Sequence, residues 1–154
     1  LDTCTVPRSP TQDPIRPRKA ELGLGIHGEA GVEQVDFRSA RDAMAMVVAR
    51  LAPSLRPGPH VALLNNLGGA MPLEMAVLAE ELVQSAIGAQ IRWLVGPAPM
   101  MTSLDMQGFS VSLLPVTQSD EAALAAPVAP WAWPGCSVAI PGSTPAPCCC
   151  SATR

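Results

Sequence analysis

The 154-residue sequence predicts an α/β protein, a layered sheet with flanking helices. Three observations carry that expectation. Short apolar runs that suit strands alternate with segments of helical period, the order from which sheet-and-helix layers are built. Aromatic residues make up 3% and tyrosine is absent, so the core has to be aliphatic, made from Leu, Val, Ala and Met. The 17 prolines crowd toward the two ends and leave the middle free for regular elements.

Each element follows from local chemistry. Pro7, Pro10, Pro14 and Pro17 make residues 1–20 an extended lead-in. Residues 21–26 alternate small and apolar side chains and read as a strand that ends at His27. A second short strand is expected over Val32–Phe37. Ser39 offers an N-cap with Asp42 as its capping-box partner, and Met44, Val47, Val48 and Leu51 fall on one helical face that Pro53 ends. A proline-glycine loop over Ser54–His60 leads to the continuously apolar, buried strand Val61–Leu64.

Asn65-Asn66-Leu67-Gly68-Gly69 then reads as a tight turn, because Asn and Gly tolerate positive φ. Pro72 suits the first position of a helix, Glu74 its first turn and Gly88 its C′ position. The intervening Leu73–Ile87 is so apolar that the helix should pack on more than one side. Further strands are expected at Gln90–Val95 and Gly108–Val116, with a short helix between them capped by Thr102 or Ser103. A weak helix over Asp120–Ala126 closes the pattern, and residues 141–154 read as a disordered tail.

Composition excludes several classes. Net charge is −3, and the one basic stretch is Arg16-Pro17-Arg18-Lys19, which argues against nucleic acid or a membrane as partner. No apolar run approaches the roughly 18 residues of a spanning helix, and the start lacks a secretory pattern. A first residue Leu1 suggests a processed product or a fragment. Cys4, Cys136 and the run Cys148-Cys149-Cys150 fit neither a disulfide framework nor metal-ligand spacing. A reduced, cytoplasmic protein with idle thiols is expected.

The candidate reactive group is His27, set in Glu21-Leu-Gly-Leu-Gly-Ile-His-Gly-Glu-Ala-Gly31. Glycines around one imidazole let a small ligand reach the ring and the backbone beside it. A hydrogen-bonded strand-end histidine is the plainer alternative on that context alone. Glu29 could orient the ring or simply be solvated. Asn65–Gly69 lacks the lysine and spacing of a phosphate loop and reads as structural. Thr102, Ser103 and Asp105 read as capping and packing residues, Met100, Met101 and Met106 as core filler, and His60 as a loop residue.

Three motifs together resemble the substrate-binding K domain of the dihydroxyacetone (glycerone) kinases. They are Glu21–Val32, Asn65–Gly69 and Met101-Thr-Ser-Leu-Asp-Met-Gln-Gly-Phe-Ser110, in the family's order and at similar spacing. Cys4–Pro7 and Ala132-Trp-Pro134 look like the same domain, and the resemblance covers about residues 1–140, its C-terminal half. It implies a lead-in over 1–20, a partial K domain over 21–140 and a tail over 141–154.

The resemblance also implies a chemistry. The histidine matching His27, with Gly28 beside it, would bind dihydroxyacetone covalently as a hemiaminal for phosphorylation to dihydroxyacetone phosphate. ATP and Mg²⁺ would be held by a separate L-type domain or subunit not present in these residues, so this chain would bind no cofactor itself. The family's glycine-rich substrate loop and acid/base residues have no match here, so the chain alone is expected to be inactive. A homodimer is implied, and in eukaryotic relatives an FMN cyclase activity. The alternatives are a K subunit charged ultimately from phosphoenolpyruvate, or a non-catalytic or truncated ligand-binding homologue.

Overall fold

A computed structural model of the chain describes residues 19–23, 33–128 and 130–139. Two sheets form. Strands β1 (Lys19–Leu22) and β2 (Glu33–Asp36) make an antiparallel pair, with Lys19 opposite Asp36 and Leu22 opposite Glu33. The main sheet has four strands in the order β5-β3-β4-β6. These are β3 (His60–Asn66), β4 (Ile91–Ala98), β5 (Phe109–Pro115) and β6 (Cys136–Val138). β3 and β4 run parallel, while β5 and β6 are antiparallel to their neighbours.

Helix α1 (Ala40–Leu51) starts where the sequence says it should. Ser39 Oγ accepts from Asp42 N at 3.1 Å, and the Asp42 carboxylate accepts from Arg38 N at 3.3 Å, one residue further back than a capping box reaches. The helix stops at Leu51, ahead of Pro53, which sits in a 3₁₀ turn over Ala52–Ser54. Helix α2 (Pro72–Val83) begins at its proline, with the Glu74 carboxylate accepting from Met71 N at 2.7 Å. It ends five residues before Gly88, which therefore is not its C′ residue. Gly88 opens a second 3₁₀ turn, so close to α2 that a Cβ there would lie 1.8 Å from Val83 O. Helix α3 (Gln118–Ala125) is capped by Thr117, whose backbone N donates to Asp120.

Alternation along β3 explains the layers. Ala62 and Leu64 face one way and join Met44, Val48, Met75, Leu78, Leu82, Ile91 and Leu94 beneath α1 and α2. Val61 faces the other way and packs with Val95, Val116, Trp93 and Leu124 beside α3. The core is aliphatic, as composition required.

Three further local expectations fail. Among the described residues α2 buries one side only, since Leu73 is 74% exposed and Val77 is exposed beside it. No helix forms between β4 and β5; the segment is a series of turns. His60 is not a loop residue: it opens β3, between Ile91 and Pro115, and is 2% exposed. Strand β6, for which the sequence raised no expectation, gains its place by pairing with Trp93–Val95. The tail over 141–154 lies outside the described residues.

Candidate functional site

The site is built at the carboxyl ends of β3 and β4, the end where parallel sheets place ligands. Two loops leave there and lock together. Leu67 N donates to Gly108 O (3.0 Å), Ser103 N to Leu67 O (2.8 Å) and Gly69 N to Met106 O (2.8 Å). Gly68 has φ +126°, and a Cβ on it would meet Ser103 O at 2.7 Å. On Gly69 a Cβ would meet the Met106 backbone at 2.9 Å. The glycines are there because a second chain passes against them.

Asn65 and Asn66 do not supply the positive φ that the sequence suggests; they end β3, and of the turn residues only Gly68 has it. Their side chains clamp backbone instead. Asn65 Oδ1 accepts from Met100 N and Met101 N, both at 2.9 Å, while its Nδ2 donates to Met101 O at 2.8 Å. Asn66 Oδ1 accepts from Gly68 N (2.8 Å) and its Nδ2 donates to Ala70 O (2.7 Å). Asn65 is 2% exposed, so these bonds replace water that burial removed. Asp105, at φ 56°, turns the second loop; Met106 is buried, but Met101 is exposed and is not core filler.

The double loop forms one wall of an apolar groove of about 900 Å³. Met101, Gln107 and Phe109 line that wall, Leu73 and Val77 of α2 and Val47 of α1 line others, and Leu22 and Gly23 close it from β1. Its charged lining is Glu21, Arg50 and Glu74. Arg50 pairs with Glu33, Glu74 caps α2 and Glu21 accepts from Gln34 Nε2 at 3.4 Å, so all three are already engaged. Across the helices Arg41 Nε meets Glu81 at 3.1 Å, and that carboxylate's hydrogen bond and charge raise the Arg41 pKa above its ordinary value. His27 and Gly28 lie outside the described residues, as does Glu29. Gly23, at the groove's edge, is the last described residue before that segment.

The Dak1 domain model matches residues 1–132. The chain belongs to the Dak1 domain family. The relatives of this Dak1 chain include the dihydroxyacetone kinase of Citrobacter freundii, 38% identical over 136 residues, which are 87% of this chain and 25% of that protein. The triokinase/FMN cyclase of Bos taurus is 35% identical over 145 residues, with the same two shares. The chain thus spans about a quarter of the length of the curated relatives it matches. Its fold matches the crystal structure of the native C. freundii dihydroxyacetone kinase with a TM-score of 0.83 at 36% identity, over 90% of this chain and 26% of that one. A structure of that enzyme in complex with AMP-PNP and Mg²⁺ matches with a TM-score of 0.75 at 35% identity, over 96% of this chain and 26% of that one.

Among the described residues no three His, Cys, Asp or Glu side chains stand together as metal ligands, and no helix is long and apolar enough to cross a membrane.

Proposed function

We propose that this chain is the substrate-anchoring part of a dihydroxyacetone kinase, with His27 as the covalent anchor. One imidazole nitrogen of His27 attacks the ketone carbon of dihydroxyacetone. A C–N bond forms, the carbonyl π pair moves to oxygen, and the ring N–H proton ends on that oxygen, so nothing leaves. A neutral imidazole is nucleophilic near pH 7, and the adduct fixes a three-carbon ligand with little else to grip. Gly28 leaves room beside the ring. Glycerol has no carbonyl and is rejected on chemistry rather than shape.

ATP with Mg²⁺, on a separate L-type domain, is the phosphoryl source in this reading. The chain's own part is to hold the acceptor hydroxyl still, which is most of what phosphoryl transfer asks of an acceptor site. The working form is a cytoplasmic homodimer. The observation that supports the reading is the 38% identity to a protein called dihydroxyacetone kinase across 87% of this chain.

A chimera tests it. Residues 1–132 replace the matching quarter of the C. freundii enzyme, and native mass spectrometry and kinase assays follow. The chimera should carry one dihydroxyacetone adduct and turn over; His27→Ala should abolish the adduct. An adduct retained in that variant would sink the assignment.

A further inference from the structure

The opposite end of the sheet holds a second polar site that the proposed function does not use. His60 begins β3 and is almost wholly buried. Its Nδ1 lies 2.9 Å from Gly58 O. A carbonyl only accepts, so Nδ1 carries a proton, and in the neutral ring Nε2 keeps a lone pair. That Nε2 has no hydrogen-bond partner among the described residues, yet it is not among their fully enclosed, unpaired atoms.

His60 lines a pocket of about 340 Å³ with Ser54, Arg56, Leu113 and Pro115. Arg56 makes no ion pair among the described residues. Ser54 Oγ already donates to Leu51 O at 2.8 Å. The pocket therefore presents one unspent cation and one unspent acceptor against an apolar floor.

We infer that this pocket binds hydrogen phosphate. Oxyanion oxygens accept from the Arg56 guanidinium, and the remaining P–OH donates to His60 Nε2. The two contacts ask for different things. Arg56 wants any tetrahedral anion, whereas Nε2 wants one that keeps a proton. Burial of His60 strengthens the second contact, while the exposed Arg56 makes the first at the pocket's solvent side.

Sulfate is the discriminating probe. At mildly alkaline pH it has the charge of hydrogen phosphate but no proton to donate. The 154-residue chain, labelled with ¹⁵N in its imidazoles, is titrated with each anion. Phosphate should give a saturable shift at His60 Nε2 and bind about tenfold more tightly than sulfate. Arg56→Gln, at an exposed position, should weaken both anions about tenfold. His60→Asn keeps a donor for Gly58 O, removes the Nε2 acceptor, and should erase the preference for phosphate. Equal binding of the two anions, the absence of a saturable shift at His60, or unaltered binding in Arg56→Gln would each overturn the proposal. The first and third readings stand even if His60→Asn does not fold. The outcome is independent of His27, so failure here leaves the dihydroxyacetone reading standing, and the reverse.

Discussion

The two ends of strand β3 spend their polar groups in opposite ways. At the Asn66 end, the two asparagine side chains bond to backbone of the turn and of the loop after β4. At the His60 end, one ring nitrogen is satisfied by Gly58, the other has no partner among the described residues, and the ring lines a small pocket. Satisfied groups make scaffold, because a side chain already holding backbone has nothing left for a ligand. Unspent ones are where binding has to be sought. The Asn65–Gly69 motif is therefore joinery, and the proposed reading assigns the reactive work to His27 instead.

Breaking the joinery should cost most. Gly68→Ala forces a Cβ onto Ser103 O at a φ of +126°, and a loss of about 3–4 kcal/mol in urea unfolding is expected. Asn65→Ala removes three hydrogen bonds at once, from Met100 N, from Met101 N and to Met101 O, and about 2–3 kcal/mol should be lost. At the other end His60→Asn keeps the bond to Gly58, so its cost should stay near 1–2 kcal/mol in the same assay. If His60→Asn proves the more damaging of the two, the contrast between the ends is wrong.

The smallest effect belongs to α3, which follows β5 at the His60 end. Hydrogen bonds from the Thr117 hydroxyl and backbone hold the Asp120 carboxyl below its ordinary range. A pKa lowered by folding adds stability above the ordinary carboxylate range, and that part is lost as pH falls through the lowered value. Asp120→Asn should flatten the acid limb of the stability curve slightly; an unchanged acid limb would remove the cap from the account.

The sequence made visible whatever rests on local chemistry. Ser39 and Asp42 capped α1, Pro72 opened α2, and the apolar run at Val61–Leu64 was the heart of the central strand. What hid was whatever depends on a distant neighbour. His60 looked like a loop residue because Pro57, Gly58 and Pro59 precede it, yet Ile91 and Pro115 draw it into the sheet. Gly88 looked like a helix cap and is a contact point for Val83. Asn65 and Asn66 suggested unusual backbone, whereas they act through side chains, Asn65 on a loop 35 residues away and Asn66 on its own turn. The apolar length of α2 promised two packed sides, but Leu73 and Val77 line an open groove.

The central claim is that His27 is a covalent anchor in a scaffold whose other motifs only hold shape. The direct measurement is native mass spectrometry of the chimera with dihydroxyacetone, comparing the parent, Asn66→Ala and His27→Ala. The account expects one adduct in the parent, one in whatever fraction of Asn66→Ala stays folded, and none in His27→Ala. An adduct on folded His27→Ala would contradict it.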